Sequence, residues 1–391
     1  MNATTRLAIA GFAATGIGFG PARMGYGLFL PQFRAEFGFS TGTAGLIAGA
    51  GFLAFLAALP LAAFFVVRTG PRLPVVLGGL SALAGFLLVA TAGSVAALTA
   101  GVTVAGMSAG FCWAPFNDAA ERITREEDRG TLLSVIATGT ALGVALAGGL
   151  SLLVAGGLMP WPLAWWIFAV AAILSATAAS VGVPGRRGSN SGRGFSPPAF
   201  LRRTVMPLYA VALVFGATNA IFISFAGDRI AGAGGLSGLS QHGASAVVFM
   251  SYGFFGLLGL MTGRIEARLG LDVLLRVIFA AAALSMVLVA LRPTGWAAVV
   301  LASGLHGAAL MAVSAVISFW SLRLFPGQGT TGFTAALIGL AIGSLIGPVL
   351  AGFASEAVGG AAMLLSAAIP AFLICAWPRR LPVTPVTPGI G

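Results

Sequence analysis

The chain has 391 residues, 58% of them hydrophobic and only 8% charged, with a mean hydropathy of +1.00. Soluble domains carry about 25% charged residues, so this composition argues against a soluble enzyme. All 21 basic residues are arginine and outnumber the 10 acidic ones, for a net charge of +11. They are spread thinly between apolar runs and not gathered on one soluble face, so nucleic acid is not an expected partner.

A bilayer core of about 30 Å takes about 20 apolar residues of helix, and twelve such runs follow one another. The first six cover 7–30, 44–67, 73–92, 95–116, 131–155 and 163–183. The first of them continues past twenty residues without a cleavage-site pattern before Pro31, so it reads as a retained span and not as a signal peptide. A Gly/Ser/Pro-rich basic stretch over 184–203 cannot form a core and separates an N-terminal bundle (1–183) from a C-terminal one (204–377). The last six runs cover 205–226, 244–262, 273–291, 296–322, 332–353 and 361–377, and a tail occupies 378–391. The expected fold is an all-α membrane protein of twelve helices in two pseudo-symmetric six-helix bundles.

Short cytoplasmic loops accumulate basic residues. With the N-terminus inside, 17 of the 21 arginines fall in cytoplasmic segments, whereas Arg34, Arg229 and Arg292 are outside and Arg23 lies within the first span. This places the chain in the cytoplasmic (inner) membrane with both termini cytoplasmic. A shift of 200 residues aligns Gly16 with Gly216, Gly27 with Gly227, Arg68 with Arg268, Gly70 with Gly270, Gly139 with Gly339 and Gly143 with Gly343. The Arg-x-Gly pair recurring in the same loop of both halves indicates the internal repeat of transporter folds. The glycines themselves suit close helix packing in lipid.

After spans 2 and 8 the loops read Val67-Arg68-Thr-Gly70-Pro-Arg72 and Gly263-Arg-Ile-Glu-Ala-Arg268-Leu-Gly270. These resemble the G-x-x-x-D-R-x-G-R-type loop of the major facilitator superfamily, without its Asp. The segment from Gly20-Pro21 through Arg23, Tyr26 and Leu30-Pro31 is similar to a signature of bacterial YbfB/YjiJ-type members. The resemblance implies a carrier whose spans 1, 4, 7 and 10 line a central cavity and whose Arg68, Gly70, Arg72, Arg268 and Gly270 loops, with Arg323, control the cytoplasmic face. Asp118 or Glu121 is expected to pair with Arg68 or Arg72 when the carrier faces outward, replacing the missing Asp. Asn117 sits close by as a cap or gate.

Arg23 is the most informative residue. An arginine in mid-span costs about 2.5–3.5 kcal/mol on insertion scales and usually faces a cavity or bundle interior. Snorkelling and an internal ion pair are the competing explanations, but no carboxylate occurs at its depth: Glu36, Asp228 and Glu356 lie at the outer ends and the others on the cytoplasmic side. An anionic substrate can supply the missing partner. His306, near the midplane of span 10, can bind a substrate oxygen or carry a proton, or simply bond a neighbouring helix. Asn219 in span 7 needs a hydrogen-bond partner. Trp113 in span 4 is either a stacking surface or packing, and Tyr26 shapes the site beside Arg23.

Cys112 and Cys375 both lie in apolar runs, giving neither a disulfide framework nor a metal spacing, and no cofactor is expected. No phosphate-binding Gly-rich loop or nucleophile-base constellation occurs, so ATP is not the energy source and no catalytic residue is assigned. The expected activity is secondary transport of a small organic anion, with efflux of hydrophobic or sugar-like compounds as the alternative. The expected partners are the solute, the bilayer, and protons or a counter-substrate, with the protein acting as a monomer.

Overall fold

The computed structural model describes residues 2–185, 203–241, 243–325 and 329–377. Arg186, Arg187, Arg193 and Arg202 of the expected linker, and the tail 378–391, lie outside them. Regular structure among the described residues is entirely helical: α1 (Ala3–Phe19), α2 (Pro21–Phe37), α3 (Thr41–Thr69), α4 (Arg72–Ala90), α5 (Val95–Ile123), α6 (Glu126–Ala155) and α7 (Trp161–Gly182) precede the linker. After it come α8 (Met206–Gly232), α9 (Gly243–Gly256), a 3-10 turn (Leu257–Met261), α10 (Thr262–Leu291), α11 (Trp296–Leu324), α12 (Gly329–Val358) and α13 (Gly360–Cys375). Helix starts follow local chemistry. The side chains of Asn2, Ser40 and Ser94 accept hydrogen bonds from the backbone N–H of Thr5, Thr43 and Ala97, satisfying donors that the helix leaves open.

Nine helical stretches among the described residues are long and apolar enough to cross a membrane. Three local features separate that number from the twelve runs in the sequence. The first run is split at Gly20 into two 17-residue helices. The stretch Gly243–Leu291 counts once although Gly270 inside it is non-helical (φ 79, ψ 164), and α13 has only 16 residues.

The break at Gly20 corrects the expectation of one unbroken helix over 7–30. Pro21 has no N–H to donate, its ring crowds the carbonyl four residues back, and it drives the residue before it out of the helical region. Gly20 accordingly sits at φ −77, ψ −110. Gly16, Arg23 and Gly27 therefore do not share one continuous helix face: Gly16 belongs to α1, and Arg23 opens α2.

Leu146, Leu174, Leu350 and Phe254 are all more than 60% exposed, an apolar exterior that suits lipid and not water. Inside, Phe86, Trp165 and Phe168 pack at ring distances of 5.7–5.8 Å on one side of the linker, and Phe215 meets Phe279 at 5.9 Å on the other. The helices before the linker pack largely on one another, as do those after it, and the two sets meet along α2–α8, α3–α12 and α6–α9. Glycine permits these seams. A Cβ at Gly27 would strike the Ile223 carbonyl, and one at Gly352 would come 2.7 Å from the Thr41 carbonyl. The repeat is visible in the backbone, because Gly70 and Gly270 share a left-handed φ (87 and 79), and so do Gly38 and Gly238 (65 and 82).

The seams are closed by charge at one end of the molecule. Arg34 Nη1 lies 2.6 Å from Asp228 Oδ2, and Glu356 Oε1 accepts from the Gly42 N–H at 2.7 Å, each joining the first set of helices to the second. At the opposite end the ion pairs Arg122–Asp118 and Arg323–Glu266, both 2.7 Å, each stay within one set.

Candidate functional site

Arg23 stands in the first turn of α2, where the helix break leaves N–H groups without partners in their own helix. Its guanidinium carbon lies 4.4 Å from the centre of the Phe55 ring, 5.4 Å from Phe52 and 5.6 Å from Phe19. Nε and Nη2 are shielded from solvent and make no hydrogen bond, and no carboxylate lies within ion-pairing distance among the described residues. An internal ion pair and a snorkelling arginine both fail to describe this arrangement: the charge is held by ring faces within the bundle, through cation–π attraction.

Two cavities share the Arg23 side chain as a partition. Toward the Arg34–Asp228 end, one of about 370 Å³ is lined by Tyr26, Gly51, Phe52, Gly106 and Ser224, among others. Toward the other end, one of about 620 Å³ lies between the two sets of helices, with Phe55, Trp113 and Thr140 on one wall and Leu310, Ser314 and Leu337 on the other. Trp113 meets Phe19 edge-on at 5.7 Å and forms part of the larger cavity's lining. The ring of Tyr26 lines the smaller cavity while its hydroxyl donates to the Ala44 carbonyl at 3.1 Å, tying α2 to α3.

Asn219 and His306 lie elsewhere. Neither lines either of these two cavities, and both are buried. Asn219 Oδ1 accepts from the Tyr252 hydroxyl at 2.6 Å. The His306 ring stacks on Phe222 at 4.1 Å with an interplanar angle of 7°, its Nδ1 lies 2.6 Å from Ser285 Oγ, and its Nε2 is buried without a partner. Tyr252 stands 6.2 Å from the same imidazole and within electrostatic range of Arg23. Tyr252 and Ser285 are absent from the expectations drawn from sequence. The signal for Tyr252 was available, since it is one of only three tyrosines and a hydroxyl in mid-span needs a partner.

The Major Facilitator Superfamily model matches residues 8–318. The chain belongs to the Major Facilitator Superfamily. Solved transporters share its fold at low identity. A point variant of the nucleoside transporter NupG superimposes with a TM-score of 0.77 at 11% identity, over 96% of this chain and 98% of that one. A bacterial homologue of the human lysosomal transporter Spinster, inward-facing and unoccupied, gives 0.73 at 16% identity over 96% of each chain. A POT family transporter in complex with 5-aminolevulinic acid gives 0.76 at 12%, over 95% of this chain and 94% of that one. No curated protein matches the chain in sequence. The protein is thus an integral membrane transporter of this superfamily.

The superfamily's loop residues occupy distinct surroundings. Arg68 is exposed and stacks on Phe64 at 4.1 Å, Arg72 Nε donates to the Val183 carbonyl at 2.7 Å, and Arg122 reaches past Gly70 while pairing with Asp118. Asn117 is half-buried one turn beyond Trp113. In the second motif Glu266 pairs with Arg323 from the last turn of α11, and Arg268 and Gly270 are exposed.

Proposed function

We propose that this transporter is a secondary carrier that moves a small organic anion, in the first instance a carboxylate, across the cytoplasmic membrane by alternating access between the two sets of helices. The observation that supports it best is Arg23, a cation with unpartnered donors on the boundary of two cavities, at the start of a half-helix. The positive end of a helix dipole and the guanidinium act on an anion in the same sense. Because ring faces hold the charge, a bound carboxylate displaces no competing anion. Tyr26 and Trp113 shape the cavity walls. Asn219 and His306 form a polar layer behind the site that becomes part of it as the helices rock.

With the termini cytoplasmic, the Arg34–Asp228 end faces outward, so seams closed there and a cavity on the Trp113 side describe an inward-facing state. Energy comes from an ion or exchanged-substrate gradient. The span-1 signature supports a YbfB/YjiJ-type subgroup. Uptake of carboxylates into proteoliposomes tests the anchor. Arg23→Ala is expected to lower uptake at least about tenfold, the lower end of a lost charged hydrogen bond, and Arg23→Lys to restore it only in part, since an ammonium lacks the planar fork. Full activity in both variants would end the proposal.

The apolar lining of the larger cavity favours a second reading, efflux of hydrophobic compounds, in which Arg23 is structural. Competition by carboxylates against lipophilic cations separates the two.

A further inference from the structure

Resting on the anion-anchor reading above, we infer that the substrate is a lipophilic monocarboxylate: one carboxylate clasped side-on by Arg23 Nε and Nη2, with an apolar body in the cavity between Trp113 and Leu337. The two unpartnered donors are adjacent edges of one guanidinium, and together they form the fork that gives a carboxylate two parallel hydrogen bonds. The rings of Phe19, Phe52 and Phe55 hold the cation by charge and leave its N–H donors unused. A ring neutralises nothing and accepts no strong hydrogen bond, so the site is complete only with an anion of this shape.

The remaining surroundings set the rest of the molecule. Among the described residues Arg23 is the only cationic side chain lining either cavity, so a second carboxylate would be buried unpaired, which is heavily penalised. The body cavity offers few polar groups. Ser314 already donates to the Leu310 carbonyl at 3.1 Å, while the buried Thr140 hydroxyl has no partner. One additional oxygen on the substrate can therefore be satisfied, and a polyhydroxylated acid cannot. The Trp113 indole and the Leu310 and Leu337 side chains form an apolar wall suited to an alkyl chain or a single ring.

The test is calorimetric binding to the full chain in nanodiscs, using straight-chain carboxylates from propionate to octanoate together with phenylacetate, phenylacetamide, succinate and gluconate. Affinity is expected to rise about fourfold per methylene, the transfer value of a buried CH₂, until the cavity is filled. Phenylacetamide and succinate are expected at least about tenfold weaker than phenylacetate. Arg23→Ala should remove the preference for phenylacetate over phenylacetamide. Leu337→Ser, in the opposite wall, should flatten the chain-length series while keeping that preference, and it serves if Arg23→Ala does not fold. Tightest binding by succinate or gluconate, still dependent on Arg23, overturns this inference and leaves the anion anchor standing. Equal binding of acid and amide with no effect of Arg23→Ala overturns both. Absence of binding by every probe overturns the substrate class proposed here.

Discussion

Buried polar side chains in this transporter divide into those whose bonds are complete within the protein and those left open. Tyr252 and Asn219 belong to the first group, with a 2.6 Å hydrogen bond between neighbouring helices. Removing one partner leaves a buried acceptor unsatisfied at a cost of about 1–3 kcal/mol, whereas replacing both with apolar groups can be nearly neutral. Tyr252→Phe is therefore expected to lower the thermal midpoint of the detergent-purified protein, and Tyr252→Phe combined with Asn219→Leu to recover most of that loss. A double variant less stable than the single one would contradict the pairing. Arg23 belongs to the second group, and its open donors are what the proposed anion anchor rests on.

Helix ends and seams govern which face is closed. The Arg34–Asp228 pair has side-chain exposures of 33% and 17%, and such a pair contributes about 0–1 kcal/mol. Asp228→Asn is thus expected to shift the inward–outward equilibrium by no more than about fivefold. Gly27→Val should act more strongly, because its side chain would collide with the backbone carbonyl of Ile223 and not with a flexible side chain. A cysteine at Ser224, which lines the smaller cavity, reports the change in a background lacking Cys112 and Cys375. Its reaction with a membrane-impermeant thiol reagent added outside should accelerate in Asp228→Asn and more so in Gly27→Val. Unchanged rates in both would show that these contacts do not close the Arg34–Asp228 end.

For the molecule as a whole, the proposed alternating access makes opening of one face imply closing of the other, with the two sets of helices moving as packed bodies about the proposed site. Thr69 and Leu269 are exposed at the ends of α3 and of the first part of α10, on the face opposite Arg34–Asp228. Spin labels there should show shorter distances in Gly27→Val than in the wild type. Arg68 and Arg72 belong to the same set of helices as Asp118, which pairs with Arg122 within its own helix, so rigid rocking by itself does not bring them together. An unaltered distance distribution would argue against rigid rocking.

Several of these features were legible in the amino-acid order. Apolar run length determined the helical membrane class, because every backbone group in lipid must be satisfied within its own helix or barrel. The recurrence of Arg-x-Gly at 200 residues anticipated the paired left-handed glycines Gly70 and Gly270. The absence of a carboxylate at the depth of Arg23 is a statement about sequence positions, and among the described residues no carboxylate pairs with it. Pro21 carried the signal for the broken first helix, yet the run was read as continuous because its hydropathy is uninterrupted. Tertiary structure alone decided that Phe52 and Phe55 of another helix hold the guanidinium, that Trp113 faces the same cavity as Leu337, and that Asn219 and His306 turn to Tyr252 and Ser285 instead. Hydropathy and spacing are one-dimensional and fix what a segment must bury. The rotation of each helix, and so the partner each side chain meets, is set by packing between segments up to hundreds of residues apart.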